Sequence, residues 1–301
     1  MYRGRFAPSP TGPLHFGSLV AAVASYLEAK IHHGEWLLRI EDLDQPRTMP
    51  GAAESILRTL EAWGFEWDGP VVYQSRRQDL YAAALSGLQE SGLVYACGCT
   101  RKEIADSAIH GIEGAIYPGT CRNGLPSGKS ARAWRVRTEN RIIGFDDAIQ
   151  GYIAQNLELD IGDFVLKRAD GLYAYQLAVV VDDAEQGITD IVRGADLLDS
   201  TPRQIYLQSL MGFPAIRYAH IPIVTNQQGE KLSKQTLAKT LDDRYPQTQL
   251  WLALDYLGQS PPAELMNASI GTLWQWMLTH WKLENIPHIR HAKIQPEPSL
   301  S

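Results

Sequence analysis

Apolar positions along the first ninety residues alternate between short runs and helical stripes. Arg3–Ala7 predicts a short strand. Ser18–Lys30 places Leu19, Val20, Val23 and Leu27 on one helical face. Trp36–Ile40 is mostly apolar, the pattern of a strand buried on both faces of a parallel sheet. Pro50 fits the first turn of a helix running to about Trp63, and Ser75 fits the N-cap of another running to about Gln89. This β-α-β-α order predicts an α/β fold with a doubly wound parallel sheet and ligands at the C-terminal ends of its strands.

The pattern then changes. Residues 93–168 carry all the cysteines, many glycines and short alternating stretches such as Ala133–Arg137, which predicts an insertion of α+β character with its own topology. Alternation resumes near Tyr173, with a helix over Gln176–Asp183, a strand over Ile188–Val192 and a helix over Thr201–Met211 opened by Ser200 and Pro202. A further strand is predicted over His220–Val224. Leu250–Leu257 and Gly271–Trp281 have helical patterns ahead of a polar tail. The expected units are a first core half (1–92), the insertion (93–168), a second core half (169–235) and a helical C-terminal segment (236–301).

Composition narrows the class. With 301 residues, 45% hydrophobic and 21% charged, the chain has ample material for a buried core. No apolar run approaches the roughly 18 residues of a membrane span. Met1–Arg5 leads straight into the first strand without a signal-peptide pattern, so a cytoplasmic protein without a membrane partner is expected. Three cysteines argue for reduced thiols or a metal rather than a disulfide framework. A net charge of −6 argues against wholesale coating of nucleic acid, yet Arg101–Arg141 holds eight basic and four acidic residues. That stretch is either a nucleic-acid face or a solvated strand surface.

Two distant segments carry the chemistry. Arg5–Ser18 is a Gly/Pro-rich loop opening onto a helix, with His15 and Gly17 at its mouth. Gly12 and Gly17 allow close approach of backbone to a ligand, and a helix N-terminus attracts anions. Lys231-Leu232-Ser233-Lys234 follows a strand. Together they suit a nucleoside triphosphate: His15 donates to a phosphate oxygen, and Lys231 and Lys234 offset the charge that builds as pyrophosphate leaves. Either loop alone reads as an ordinary cap or turn; the pairing is what carries the inference.

These segments resemble the HIGH and KMSKS signatures of class I aminoacyl-tRNA synthetases. Arg5–Gly12, Arg39–Asp44 and Ile191–Asp196 resemble the glutamyl branch, and most closely its short glutamyl-Q tRNA(Asp) synthetase family, over residues 1 to about 240. The resemblance implies a Rossmann-like core with an inserted acceptor-type domain. It also implies activation of glutamate by ATP without tRNA, then transfer to queuosine at the wobble position of tRNA(Asp). ATP would meet Gly12, His15, Gly17, Ser18 and Lys234, with Mg²⁺ accompanying it, and a monomer is expected.

Glutamate has two carboxylates, for which Arg5 and Arg193 are the candidates because a guanidinium fork matches a carboxylate. Glu41 suits the substrate ammonium, Tyr175 a carboxylate and Ser9 the amino-acid backbone, with Phe6, Ala7 and Pro8 of the same motif beside them. Which arginine meets which carboxylate stays open. The chain departs from the family patterns at Ser18 in the fourth HIGH position, at Gln235 after the lysine loop, and at Val179, where full-length relatives carry an amide. Loss of one polar contact at Val179 is expected to weaken glutamate binding by about 1 kcal/mol.

Cys97-X-Cys99 followed by Tyr117-Pro-Gly-Thr-Cys121 supplies three thiolates for a tetrahedral structural Zn²⁺. The resemblance points to Tyr117 as fourth ligand; His110 is the conventional alternative. Buried free cysteines are the plain alternative to a metal. Two other functional readings compete with the first: a truncated glutamyl-tRNA synthetase charging a tRNA 3′ end, and a non-catalytic paralogue. Only 67 residues follow Lys234, fewer than the large anticodon-binding region of full-length glutamyl enzymes, and the intact His15, Gly17, Lys231 and Lys234 disfavour the non-catalytic reading.

Overall fold

The structure, a computed structural model, describes residues 1–107, 109–111, 114–226 and 241–293, and the side chains of these except 106–115. The chain opens with β1 (Arg3–Phe6), α1 (Phe16–Ile31), β2 (Glu35–Ile40), α2 (Ala52–Ala62), β3 (Val72–Tyr73) and α3 (Gln78–Glu90). The middle segment carries β4 (Val94–Cys97), α4 (Arg101–Ser107), β5 (Ile109–Gly111), β6 (Gly114–Ile116), β7 (Ala133–Val136), β8 (Ile142–Asp147), β9 (Gly151–Asn156), α5 (Leu157–Asp160) and β10 (Val165–Lys167). Then follow α6 (Tyr175–Glu185), β11 (Asp190–Gly194), α7 (Thr201–Met211), β12 (Arg217–Ile221), β13 (Ile223–Thr225), α8 (Pro246–Tyr256), α9 (Ile270–His280) and β14 (His291–Lys293).

β1, β2 and β3 pair in parallel, as do β11 and β12. Thr189, just ahead of β11, donates its N–H to the Arg3 carbonyl and accepts the Arg3 N–H, which sets β1 beside β11. The chain therefore leaves β1 toward β2 on one side and reaches β11 on the other, a topological switch point where α/β sheets bind ligands. β8 pairs in parallel with β12 at Asp147 and Tyr218 and antiparallel with β9, so a hairpin from within 93–168 lies on the outer side of the second parallel pair. β4, β7 and β10 form a separate antiparallel sheet.

Helix α1 buries nearly every residue from Leu19 to Ala29. A helix apolar on all sides must be enclosed. It lies against the sheet and under α8 and α9, with its Tyr26 edge to face against Trp36, Phe65 and Trp274. Each large apolar side chain so buried contributes about 1.5–3 kcal/mol. Glu28, a buried carboxylate on α1, receives the Trp281 indole N–H at 2.6 Å.

Several boundaries differ from expectation. α1 starts at Phe16, because His15 itself takes the N-cap and its ring accepts the Ser18 N–H at 3.3 Å. α2 starts after Pro50, behind Gly51. Ser75 does not cap α3: its N–H and hydroxyl both go to the Asp42 carboxylate, at 2.8 and 2.6 Å, and Arg77 occupies the N-cap. The strand expected over His220–Val224 is split between β12 and β13 at Pro222, which has no N–H for the ladder. Among the described residues no helix is long and apolar enough to cross a membrane.

Candidate active site

A cavity of about 870 Å³ opens at the C-terminal ends of β1, β2, β11 and β12. It is bordered by all eight residues assigned to glutamate: Arg5, Phe6, Ala7, Pro8, Ser9, Glu41, Tyr175 and Arg193. His15, Gly17 and Ser18 border it from the phosphate-type loop; Gly12 does not. Gly12 instead has φ +141°, a backbone angle open to glycine, and so turns the loop. The loop is tied to the second strand where the Glu41 N–H donates to the Pro8 carbonyl at 3.0 Å. Lys231 and Lys234 lie outside the described residues.

Arg5 is engaged by a carboxylate far from it in sequence. Its Nε and Nη2 donate to Asp183 at 3.1 and 3.4 Å, both side chains being buried. Asp183 also pairs with Arg39 at 2.8 Å. Burial disfavours the charged Asp183, but Arg39 and Arg5 outweigh it and hold its carboxyl below the usual range. Arg39 reaches Glu41 at 3.5 Å and Asp182 at 3.8 Å, and donates to Gln186 at 2.7 Å. Burial raises the largely enclosed Glu41 carboxyl against the pull of Arg39 and Arg5. Burial, then the neighbouring Glu41, raises the Tyr175 phenol, which keeps it a hydroxyl donor.

Arg193 sits across the cavity at the end of β11. Its Nε donates to His220 Nε2 at 3.0 Å, and its Nη2 donates to Thr201 Oγ1 and Gln204 Oε1, each at 2.8 Å. Nη1 is buried and has no hydrogen-bond partner among the described residues. A guanidinium that borders a cavity and has one unused donor is suited to an anionic ligand. Of the two arginines expected at the site, Arg5 is thus tied to a buried carboxylate, whereas Arg193 is held by His220, Thr201 and Gln204.

Val179 does not border the cavity. It is fully buried among Leu177, Val180, Tyr81 and Tyr173, so the expected loss of a ligand contact there has no counterpart in this packing. Half of the basic stretch is engaged by neighbouring groups, while Arg101, Lys102, Arg132 and Arg141 are exposed. Arg135 lies 3.9 Å over the Tyr117 ring and donates to the Asp163 carbonyl; Arg137 donates to the carbonyls of Gly92 and Arg122; Arg122 pairs with Glu158; Lys129 pairs with Glu103.

The three thiols converge as the spacing implied. Their sulfurs lie within 4.8 Å of one another, Cys99 and Cys121 at 3.6 Å. The Tyr117 hydroxyl is 3.4 Å from the Cys97 sulfur and 3.6 Å from that of Cys99. A tetrahedron with metal–sulfur bonds near 2.3 Å needs donor separations of about 3.7 Å, so these four atoms fit a closed metal site. Burial works against a Cys97 thiolate, but hydrogen bonds with Tyr117 and Arg135 prevail and lower its pKa. The His110 side chain, the alternative ligand, is outside the described residues.

Sequence reasoning missed Arg39, Asp147, Asp182, Asp183, Thr201, Gln204 and His220. A signal was present for some. Arg39 stands inside an apolar strand and Asp182-Asp183 end an apolar helix, and charges buried in such elements must be paired. For His220 and Asp147, 73 residues apart, no local pattern marks the contact.

Comparison with known proteins places these features in context. The family described as tRNA synthetases class I (E and Q), catalytic domain, matches residues 1–264. The chain is 60% identical over 288 residues to a glutamyl-Q tRNA(Asp) synthetase of Dechloromonas aromatica, covering 95% of this chain and 96% of the relative. It is 59% identical over 292 residues to one of Aromatoleum aromaticum, covering 97% and 92%. Among solved structures it is similar to a glutamate tRNA ligase of Elizabethkingia meningosepticum in complex with its amino acid. That similarity has a TM-score of 0.81 at 27% identity and covers 98% of this chain and 67% of the other.

Proposed function

The chain belongs to the class I tRNA synthetases for glutamate and glutamine, as a catalytic domain of that family, and from this premise we propose that it is a ligase that activates glutamate with ATP and passes the glutamyl group to queuosine of tRNA(Asp). The observation that carries the glutamate assignment is the buried Arg193, whose Nη1 has no partner among the described residues, bordering the same cavity as Glu41. A zwitterion with an extra carboxylate matches one free guanidinium edge, one carboxylate and the Tyr175 hydroxyl. Arg5, paired with Asp183 through Nε and Nη2, is the second guanidinium bordering the cavity.

The reaction has two steps. An oxygen of the glutamate α-carboxylate attacks the α-phosphorus of ATP; the bond to the bridging oxygen breaks, and pyrophosphate leaves. A hydroxyl of the queuosine cyclopentene ring then attacks the activated carbonyl, giving up its proton to the departing phosphate or to solvent, and AMP leaves with the electron pair. No protein nucleophile is required, so the residues act by positioning and charge stabilisation. His15, Gly17 and Ser18 border the site from the loop that would face the triphosphate, and Lys231 and Lys234 are assigned to the leaving pyrophosphate. Mg²⁺ accompanying ATP would supply further charge neutralisation. Cys97, Cys99, Tyr117 and Cys121 would hold a Zn²⁺ that ties the middle segment together, closing the chain from 97 to 121 on it.

The test is glutamate-dependent ATP–pyrophosphate exchange without tRNA, followed by location of labelled glutamate on tRNA(Asp) with and without queuosine. Exchange, and label only on the queuosine-containing tRNA, is expected. Label at the 3′ end, as a labile aminoacyl ester, would replace this reading with 3′-end charging, and absence of exchange at high glutamate would remove the catalytic assignment altogether.

A further inference from the structure

Arg193 is held by a relay that reaches back to the outer hairpin. Asp147 ends β8, and its Oδ1 accepts three backbone N–H groups, those of Ile149 at 3.1 Å, Gln150 at 2.9 Å and His220 at 3.0 Å. Its Oδ2 accepts from His220 Nδ1 at 2.5 Å. A carboxylate cannot donate, so Nδ1 carries the ring proton and Nε2 presents a lone pair. Arg193 Nε can only donate, and it lies 3.0 Å from that Nε2. On the far side of the guanidinium, Gln204 accepts from Nη2 with its Oε1, while its Nε2 donates to Gln176 Oε1 at 3.0 Å, which fixes the amide orientation. Asp147, His220, Arg193, Thr201 and Gln204 are all buried.

We infer that Asp147 and His220 are positioning residues for the substrate carboxylate: the carboxylate fixes the Nδ1–H tautomer, the tautomer fixes the Arg193 plane, and that plane leaves Nη1 toward the cavity. The inference rests on the reading of the cavity as a glutamate site. The opposite tautomer would set a ring N–H against the Arg193 Nε–H, and the guanidinium would have to turn out of the arrangement that Thr201 and Gln204 hold. Because Asp147 belongs to the β8–β9 hairpin and His220 to β12, the parallel pairing of β8 with β12 is what brings the relay into register.

The test combines ring tautomer and substrate dependence. In ¹⁵N-labelled protein, the His220 ring is expected to be protonated on Nδ1. In Asp147→Asn, the side-chain carbonyl stays with the three backbone donors, the amide N–H₂ turns to Nδ1, and the proton moves to Nε2. The glutamate KM in exchange then rises about tenfold or more while the ATP KM stays within about twofold, the signature of one lost substrate contact. His220→Leu is expected to raise the glutamate KM alike, and His220→Gln, with an acceptor and a donor on one planar group, to recover most of it; this pair decides the matter should Asp147→Asn not fold. Protonation of the wild-type ring on Nε2, an unchanged glutamate KM in Asp147→Asn and His220→Leu, or equal rises in glutamate and ATP KM would each overturn the inference. Absence of exchange in the wild-type protein would overturn the glutamate reading instead, and with it the ligand half of this inference.

Discussion

At the scale of residues, the site is built from pairs whose members are far apart in the chain and whose charges are settled by burial. His220 is the clearest case. Burial in the first place, and Arg193 beside it, lower its pKa to about 4 despite the hydrogen bond to Asp147. It is therefore neutral in the folded protein near neutral pH and ready to accept from Arg193. Asp147 is also shifted down: burial opposes its charge, but the His220 and backbone hydrogen bonds prevail. For both groups the unfolded chain binds protons at a higher pH than the folded one; the His220 contribution is present above the unfolded His value and is lost as pH falls toward 4, and the Asp147 contribution is lost only as pH falls below the ordinary Asp value. The loss for His220 is on the order of 3 kcal/mol across that window. A thermal unfolding series from pH 7.5 to 4.5 (about three pH units) should show a falling midpoint, and His220→Gln should flatten the upper part of the fall; a midpoint independent of pH in the wild type would contradict the neutral buried ring.

At the scale of elements, caps and breaks are set by contacts as much as by local propensity. Ser75 has the residue type of an N-cap, but Asp42, 33 residues earlier, takes both of its donors. His15 lacks the preferred residue type yet caps α1 with its ring. Gly258 shows the reverse, a position where the local rule and the tertiary contact agree. It follows α8 with φ +73°, and a Cβ there would lie 2.2 Å from the Asn285 carbonyl oxygen. Gly258→Ala should therefore cost roughly 2–3 kcal/mol, by backbone strain plus displacement of the 282–286 turn. Chemical denaturation reads this directly, and a loss below about 0.5 kcal/mol would mean that the turn moves freely away from α8.

At the scale of the whole molecule, α1 is the axis. Its N-terminus borders the cavity, one side lies on the sheet, and α8 and α9 close the other, so loop, sheet and C-terminal helices share one core. The thiol cluster is separate, with its own small group of buried residues around Tyr95, Cys97, Tyr117 and Cys121. Purified protein never exposed to chelator should carry about one zinc per chain, bound by a donor set of the tetrahedral kind. Chelation should destabilise the middle segment more than the α1 core, visible as loss of amide protection over β4 and β7 before that over α1. Metal analysis that finds none, or uniform loss of protection, would refute this.

The order of strands and helices, the loop ahead of α1, the three cysteines and the arginine–glutamate set could be read from the sequence, because each depends on residue type and spacing within a few positions. The burial of α1 was legible too, since an apolar stripe must be covered. What only the tertiary structure decided is which partner each charge has. Arg5 and Arg193 look alike as guanidinium groups after a strand. Asp183, 178 positions from Arg5, neutralises the first, while His220, Thr201 and Gln204 orient the second and leave one donor unused. Sequence spacing carries the chemistry of each group; availability depends on electrostatic and hydrogen-bond partners that only the packing of distant elements brings within a few ångströms.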